Sequence, residues 1–395
     1  MFLFKVEGNE AIIISYINTK HEDIVTLPKT VTIDGKEYVV KSVGNHVDLV
    51  DFRQDALNQY IFDAKDAWKL VIPNTIEYIW PDAFSDNCFM EVEFEEGSNL
   101  KEIADYAFSC NHSLSTIKLP DSLERIKSYA FNSCDLLEEI NIPKNVYLVN
   151  HDAFSECQSL KRIIVDKENK YYDSRGDSNS IIDTENNRLI IACSGTVIPE
   201  SVEEIGFQSF ALTEVDKVHF PKGVREICDC AFNGSTVSEM TFDKDGNLKY
   251  ICDTAFRWCE SLTKITLPAS LERIYSTNYS NKHSLFFNCY NLVSVDFEPH
   301  CKLRKIPVGC FECCHRLERV TIPENVEEVG ANIFDSCHAL KEVRILSLDT
   351  EFNPDAFKGI RKETIIYAKH KNAERIRKIV DEGIRVEEIE DNVYV

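Results

Sequence analysis

The sequence predicts an α/β repeat solenoid, a right-handed array of about eleven coils of about 23 residues each, with a parallel sheet. The first observation is a phrase, Pro-x-x-aliphatic-x-x-aliphatic, that begins at Pro73, Pro120, Pro143, Pro199, Pro221, Pro268 and Pro323. The second is a Phe that follows the second aliphatic residue by five positions, at Phe84, Phe131, Phe154, Phe210, Phe232 and Phe334. Self-similarity at this period indicates coils that stack on a shared core.

One coil shows how the phrase produces local structure. In Leu114–Pro120 apolar and polar residues alternate, which predicts a short strand with one buried face. Pro120 ends that strand because it has no N–H to donate to a ladder. Ala130, Phe131 and Cys134 then follow at the 3–4 spacing of a helical turn and lead into the next strand.

The ends of the chain are expected to cap the array. Residues 1–66 are predicted to form an N-terminal cap and a first insertion, beginning with a hairpin whose turn is Gly8-Asn9. Residues 44–66 are expected to pack on the first coil. Residues 358–395 are predicted to form a C-terminal cap, with a helix over Asn372–Glu382 that covers the exposed end of the core.

Residues 67–357 are predicted to hold the repeats, with two insertions. Residues 166–196 are predicted to form a protruding hairpin, with Asp183–Asn187 as its turn. Residues 275–285 are predicted to form a polar loop that carries Tyr275, Tyr279 and His283.

This repeat pattern resembles the BspA-type, or Treponema-type, leucine-rich repeat over about residues 60–357. Residues 1–43 also resemble that family's amino-terminal cap, with Thr26-Leu27-Pro28 followed by Ile33–Tyr38. The resemblance implies a right-handed leucine-rich-repeat array and a non-enzymatic binding or adhesion protein, often at a microbial surface.

The 15 cysteines are expected to be reduced and mostly buried. Six recur in the frame Phe-x-x-Cys-x-x-Leu: Cys134, Cys157, Cys259, Cys289, Cys314 and Cys337, with Cys110 displaced by one position. Equivalent side chains in a ladder point the same way, which disfavours disulfides. Cys310 and Cys313 match half of a zinc site, but no second Cys-x-x-Cys pair completes it, so no metal is expected.

Catalytic motifs are not apparent in the sequence, which has no nucleophile elbow, phosphate-binding glycine-rich loop or His-Glu-x-x-His. We therefore expect no enzyme and no cofactor. A hydrolase sited on the two insertions is the remote alternative.

The net charge of −22, from 66 acidic and 44 basic residues, argues against nucleic acid and anionic membranes as partners. No stretch approaches the length of a membrane span, and Met1–Ile17 is not expected to be an export signal because charges interrupt it. The sequence by itself indicates a cytoplasmic chain, whereas the resemblance implies the cell surface or secretion.

A protein partner is the expected ligand, bound by a monomer. The candidate binding residues are the outward side chains of the strands, with the loop tyrosines as a rim: Arg162, Lys217, His219, Glu239, Lys264, Asp296, Arg319, Tyr275 and Tyr279. The strand face is near neutral, so an ordinary solvated sheet is an equally open interpretation. The tyrosines are equally expected to fold the insertion back on the array. Adhesion to host matrix or a cell surface is the first functional hypothesis, and a cytoplasmic interaction scaffold is the alternative.

Overall fold

The computed structural model describes residues 1–44, 62–276 and 285–390. Contacts divide the chain into two compact units. Unit 1 comprises Met1–Thr184 with Ala192–Thr196, and unit 2 comprises Glu185–Ile191 with the chain from Val197 onwards. The domain boundaries predicted from the sequence stay predictions.

The strands of unit 1 are, in chain order, β1 (Phe2–Glu7), β2 (Glu10–Ile17), β3 (Ile24–Thr26), β4 (Thr30–Ile33), β5 (Lys36–Val43), β6 (Phe62–Asp63), β7 (Lys69–Ile72), β8 (Tyr78–Ile79), β9 (Glu91–Phe94), β10 (Glu102–Ile103), β11 (Thr116–Ile117), β12 (Arg125–Ile126), β13 (Glu139–Ile142), β14 (Leu148–Val149), β15 (Arg162–Val165), β16 (Tyr172–Asp173) and β17 (Ser180–Asp183). A 3-10 turn spans Arg175–Asp177.

The strands assigned to unit 2 are β18 (Arg188–Ala192), β19 (Glu204–Ile205), β20 (Lys217–Phe220), β21 (Glu226–Ile227), β22 (Glu239–Phe242), β23 (Tyr250–Cys252), β24 (Lys264–Leu267), β25 (Arg273–Tyr275), β26 (Ser294–Phe297), β27 (Lys305–Ile306), β28 (Arg319–Ile322), β29 (Glu328–Val329), β30 (Glu342–Ile345), β31 (Glu351–Phe352), β32 (Ile365–Lys369) and β33 (Arg385–Ile389). The helix, α1, spans His370–Ile376.

Each repeat contributes two strands, which pair in parallel with their equivalents in neighbouring coils. In some coils a polar turn, such as Phe297–Leu303, replaces the proline phrase. We call the strands on the side of each coil before the phrase or turn the front strands: β3, β7, β9, β11, β13 and β15 in unit 1, and β20, β22, β24, β26, β28, β30, β32 and β33 in unit 2. We call the shorter strands after it the back strands: β8, β10, β12 and β14 in unit 1, and β19, β21, β23, β25, β27, β29 and β31 in unit 2. This confirms the predicted parallel-sheet solenoid.

The described residues contain 14 front strands, which corresponds to about 14 turns. The sequence estimate of about eleven counted the coils anchored by Phe or Trp.

The repeated phenylalanines form a column in the core of each unit. In unit 1 the ring centroids of Phe108 and Phe131 lie 5.4 Å apart, and those of Phe131 and Phe154 also lie 5.4 Å apart. In unit 2 Phe311 lies 5.5 Å from Phe334. These rings are nearly parallel because each occupies the same position in its coil. The predicted anchors therefore do form one register within each unit.

Proline limits how far neighbouring front strands pair. β9, β15, β22, β26 and β30 each pair with the preceding front strand of their unit at four positions. The residue after each of these strands donates its N–H to the earlier coil, as Glu298 does to the carbonyl oxygen of Leu267 at 2.9 Å. β11 and β28 lead into Pro120 and Pro323, and each pairs with the preceding front strand, β9 or β26, at only two positions. Within the described sheets β24, which precedes Pro268, has no ladder to β22. The missing proline N–H explains this segmentation, although the cap pair β3–β7 keeps three positions despite Pro73.

The predicted N-terminal hairpin is confirmed: β1 and β2 are antiparallel, with Glu7 opposite Glu10 across Gly8-Asn9. Most of the first insertion, residues 45–61, lies outside the described residues. Residues 277–284 of the loop insertion also lie outside them. Phe62 is described, and it is buried against Tyr16 with ring centroids 5.0 Å apart.

The insertion at 166–196 differs from its prediction in exposure. In unit 1, β16 pairs antiparallel with β17, with Tyr172 opposite Asp183. Tyr172, Ile181 and Ile182 are buried, so this part of the insertion packs onto the unit and does not protrude. The tyrosine hydroxyl anchors it, since it donates to the carbonyl oxygen of Tyr147 at 3.1 Å.

The C-terminal helix is shorter than predicted and ends at Ile376, not at Glu382. Ala373 and Ile376 are buried, as expected of a cap. The chain must then turn back, because β33 pairs in parallel with β32, with Ile365 opposite Arg385. The strand pairing therefore replaces the last helical turns.

Candidate protein-binding surface

The predicted binding residues of unit 2 lie on consecutive front strands. Lys217 and His219 are on β20, Glu239 is on β22, Lys264 is on β24, Asp296 is on β26 and Arg319 is on β28. Asp296 is half-buried, whereas the others are exposed. They alternate with buried residues that fill the core: Val218, Met240, Ile265, Val295 and Val320. The period-2 alternation of a strand therefore presents them outward, as predicted.

The parallel ladder places Lys264 and Arg319 on either side of Ser294, which is opposite both in register. Ser294 occupies an outward position in the strand alternation, but it is buried, with 3% of its surface exposed. Neighbouring strands lie about 4.8 Å apart, so the two cationic residues are about 10 Å apart along the face.

Most charged groups of the front face are already paired. Lys217 Nζ lies 2.7 Å from a carboxylate oxygen of Glu239, and this hydrogen bond, with the charge of Glu239, raises the pKa of Lys217. His219 Nδ1 lies 2.9 Å from the hydroxyl of Thr241, and its Nε2 lies 3.1 Å from Asp243. Exposed pairs of this kind contribute about 0–1 kcal/mol to stability.

Lys264, Asp296 and Arg319 differ from those pairs. Among the described residues none of the three has an ion-pair partner within 4.0 Å. They lie on three adjacent strands, β24, β26 and β28. We call them the unpaired triad. A partner can therefore engage these three charges without first breaking an ion pair within 4.0 Å.

A groove of about 610 Å³ borders the triad where the ladder between β22 and β24 is interrupted. We call it the Lys264 groove. Its lining comes from three front strands and one turn: Asp216, Lys217, Ser238, Glu239, Met240, Thr241, Phe242, Thr263, Lys264, Ile265, Thr266 and Glu298.

A second groove, of about 690 Å³, lies at the other side of Glu298. We call it the Phe297 groove. It is lined by Asp296, Phe297, Glu298, Pro299, His300, Thr321, Pro323, Glu324 and Leu346. Sequence reasoning missed it. The available signal was the polar turn Phe297–Leu303, which replaces the proline phrase and changes the outline of the coil.

Tyr275 does not lie beside the triad. It ends the back strand β25, whereas Lys264 is on a front strand. Its hydroxyl donates to a carboxylate oxygen of Glu226, and its ring meets Tyr250 edge-on at 6.4 Å. Burial, followed by the nearby Cys252 and Glu226, raises the pKa of Tyr275. Tyr275 therefore packs onto the array, the alternative left open by the sequence, while Tyr279 lies outside the described residues.

Arg162, the predicted binding residue of unit 1, is on β15 and lies 3.2 Å from Glu139. It lines a groove of about 570 Å³ together with Ser174, Asp177 and Asn179 of the insertion. Arg175, beside Asp177, donates from Nε to both carboxylate oxygens of Asp173, at 2.8 and 3.0 Å. The guanidinium of Arg175 is thus held by its own turn.

Every one of the 15 cysteines is a free thiol. The repeat cysteines Cys134, Cys259, Cys289, Cys314 and Cys337 are buried, and Cys157 is half-buried. Burial raises the pKa of Cys259 to about 12, so that thiol is protonated at neutral pH. Within the described ranges no group of three or more His, Cys, Asp or Glu side chains could hold a metal ion. Cys310 and Cys314 are both core residues, with 0% of their surfaces exposed.

Within the described ranges no apolar helix reaches the length that crossing a membrane requires.

Comparison with known proteins agrees with this geometry. The family model of the BspA type leucine rich repeat region matches residues 55–179, 191–285 and 278–365, in six copies. Among solved structures, a pneumococcal vaccine antigen, PcpA, is 20% identical with a TM-score of 0.69, covering 98% of this chain and 96% of that one. A leucine-rich repeat protein from Eubacterium ventriosum is 17% identical with a TM-score of 0.54, covering 87% of this chain and 79% of that one. No curated protein sequence matches. At these identities the structural likeness shows the fold, and the family match shows that this chain belongs to the BspA-type leucine-rich repeat proteins.

Proposed function

We propose that the protein is a non-catalytic scaffold that binds a protein partner through the front face of unit 2. The observation that carries the proposal is the unpaired triad, Lys264, Asp296 and Arg319, on three adjacent strands. Lys217 and Glu239, by contrast, neutralise each other on the same face. Unsatisfied charges of both signs favour a partner whose surface carries the complementary pattern, because such charges speed association and select the partner.

The proposed setting is adhesion at a cell surface or to host matrix. A similar fold occurs in a pneumococcal vaccine antigen, which supports this setting by analogy. A cytoplasmic interaction scaffold is the second candidate, and the free thiols favour it, since reducing compartments keep cysteines unpaired. Surface biotinylation of intact source cells separates the two: labelling supports adhesion, and labelling only after lysis supports the cytoplasmic scaffold.

The binding surface is tested by charge reversal. Purified fibronectin, laminin and fibrillar collagen are passed over the immobilised full chain, and the double variant Lys264→Glu/Arg319→Glu is compared with wild type. We expect a bound matrix protein to lose at least about tenfold in affinity, chiefly through slower association. The control is Arg361→Glu/Lys362→Glu, which changes the net charge equally at exposed residues before β32. Equal loss in both variants would show a general charge effect and contradict the proposed face.

A further inference from the structure

The Phe297 groove combines an apolar lining with acidic groups at its rim. Phe297, Pro299, Pro323 and Leu346 supply the apolar surface, and they come from three successive coils. Two of them are prolines, which lack a backbone N–H, so this part of the lining offers few donors to water. A concave apolar surface of this kind favours the insertion of a large apolar side chain.

The rim is acidic. Asp296, Glu298 and Glu324 line the groove, and the one basic-type side chain among the lining residues is His300. Glu324 accepts a hydrogen bond from the backbone N–H of His300 at 2.7 Å, and its carboxylate lies 3.2 Å from the imidazole Nδ1. Glu298 accepts one from the backbone N–H of Ala269 at 2.8 Å.

These contacts hold two carboxylates in place but neutralise little charge. Backbone amides orient Glu298 and Glu324 without compensating a full negative charge, and Asp296 belongs to the unpaired triad. The lining of the groove therefore holds three carboxylates and no lysine or arginine, a composition that favours a cation at its mouth. A cationic group beside an inserted apolar side chain would be attracted there.

We propose that the Phe297 groove binds an extended peptide segment in which a large apolar side chain stands next to lysine or arginine. The apolar side chain lies between Phe297, Pro323 and Leu346, and the adjacent cation lies against Asp296 and Glu298. This inference rests on the proposed function, because it gives the chemistry of the partner beside the triad. A segment with aspartate or glutamate at the flanking positions is repelled.

A second copy of this chain is a poorer occupant. The chain carries a net charge of −22, so a second copy approaches an acidic rim with the same sign of charge.

The test uses three fluorescein-labelled synthetic peptides with the full chain, in fluorescence anisotropy at low salt. The first carries Lys-Trp-Lys between Gly-Ser flanks, the second Glu-Trp-Glu and the third Lys-Ser-Lys. We expect the first to bind at least about tenfold more tightly than either of the others, because it alone supplies both the apolar group and the cations. Raising the salt concentration should weaken that binding, since the rim is open to solvent.

Two variants test whether the peptide binds in the Phe297 groove. Asp296→Lys reverses a rim charge, and Leu346→Glu puts a charge into the apolar lining; each should weaken Lys-Trp-Lys binding by at least about tenfold. The matched controls are Glu351→Lys on the back strand β31 and Leu348→Glu, whose residue is already 58% exposed, and both should bind as wild type.

Equal binding of the three peptides, or loss in the controls as large as in the variants, overturns the proposal. So does sedimentation showing a dimer that Leu346→Glu dissociates, since the groove would then hold a second copy. Because the probes are synthetic, peptide binding with no effect of Lys264→Glu/Arg319→Glu on a matrix protein would leave this inference standing and reject the proposed binding face.

Discussion

The thiol of Cys337 donates a hydrogen bond of 3.0 Å to the backbone carbonyl oxygen of Phe311, in the preceding coil. Cys314 makes the same contact with Phe286 at 3.2 Å. In unit 1 Cys134 and Cys157 make it with Phe108 and Phe131. In another coil of that unit an asparagine takes the position, and Asn111 Nδ2 donates to the carbonyl oxygen of Phe84 at 2.8 Å. The cysteines of this column therefore supply a second donor to carbonyl groups such as those of Phe311 and Phe286, which also accept the backbone N–H of Cys314 and Cys289.

Alkylation should distinguish buried from exposed thiols. In the folded protein iodoacetamide should modify Cys88, which is exposed, and leave Cys259, Cys289, Cys314 and Cys337 intact, since these are buried and protonated. Mass spectrometry before and after denaturation measures this. Native labelling of the four buried thiols, or disulfide-linked peptides containing them, would contradict the column.

Cys314→Ala should lower the free energy of unfolding by about 1–3 kcal/mol, because it removes a fully buried side chain and one of the two donors to the Phe286 carbonyl, leaving only the backbone N–H of Cys289 at 3.0 Å. Denaturant titration measures the loss. Cys88→Ala is the matched control, at an exposed thiol, and should stay within about 0.5 kcal/mol of wild type. A Cys314→Ala protein as stable as this control would show that the thiol's bond contributes nothing.

Phe131→Ala should cost about 3–5 kcal/mol. Phe131 is fully buried and stacks on Phe108 and Phe154, so its removal opens a cavity against two coils. Leu136, which is 50% exposed in the same unit, provides the control Leu136→Ala. Thermal or chemical unfolding reports both. A small loss of stability for Phe131→Ala would mean that the stacked rings contribute little and that the hydrogen bonds between strands hold the coils together.

Asp253→Asn should stabilise the protein at pH 7. Burial, aided by the charge of Asp229, raises the pKa of Asp253 to about 6. The native state therefore binds a proton that the unfolded state releases between pH 4 and 6, and stability falls as pH rises through that window. Because the carboxyl is only half-buried, we expect a gain of roughly 1 kcal/mol at pH 7 and none below pH 4. Unfolding at pH 7 and pH 4 tests this, and an equal gain at both would exclude ionisation as the cause.

Tyr275→Phe should lower stability by about 1 kcal/mol, because the hydrogen bond to Glu226 is lost in a partly buried site. Lys264→Ala, at an exposed side chain on a front strand, should change stability by less than about 0.5 kcal/mol. The comparison separates a packed tyrosine from a surface residue. A Tyr275→Phe protein as stable as wild type would contradict a packing role for the Tyr275 hydroxyl and would again make Tyr275 a candidate binding residue.

The repeat pattern predicted the buried residues well, because alternation within a strand and the recurrence of Phe are set by sequence spacing alone. The pattern failed at a repeat position where different residue types can make the same hydrogen bond. Cys110 looked like a displaced repeat cysteine, yet Asn111 takes the position, since an amide donates to the Phe carbonyl as a thiol does. The position three after each Phe was the signal, and Asn87 follows it as well.

The candidate surface divides in the same way. The sequence by itself determined that Lys217, Glu239, Lys264 and Arg319 face outward, because strand geometry requires it. Only the tertiary structure decided which of these charges are paired, that Ser294 is buried and that Tyr275 belongs to the back strands. Ion pairs and grooves depend on which coils lie side by side and where a proline interrupts their ladder. Those contacts join residues some 20 to 30 positions apart, beyond what the spacing within one repeat can specify.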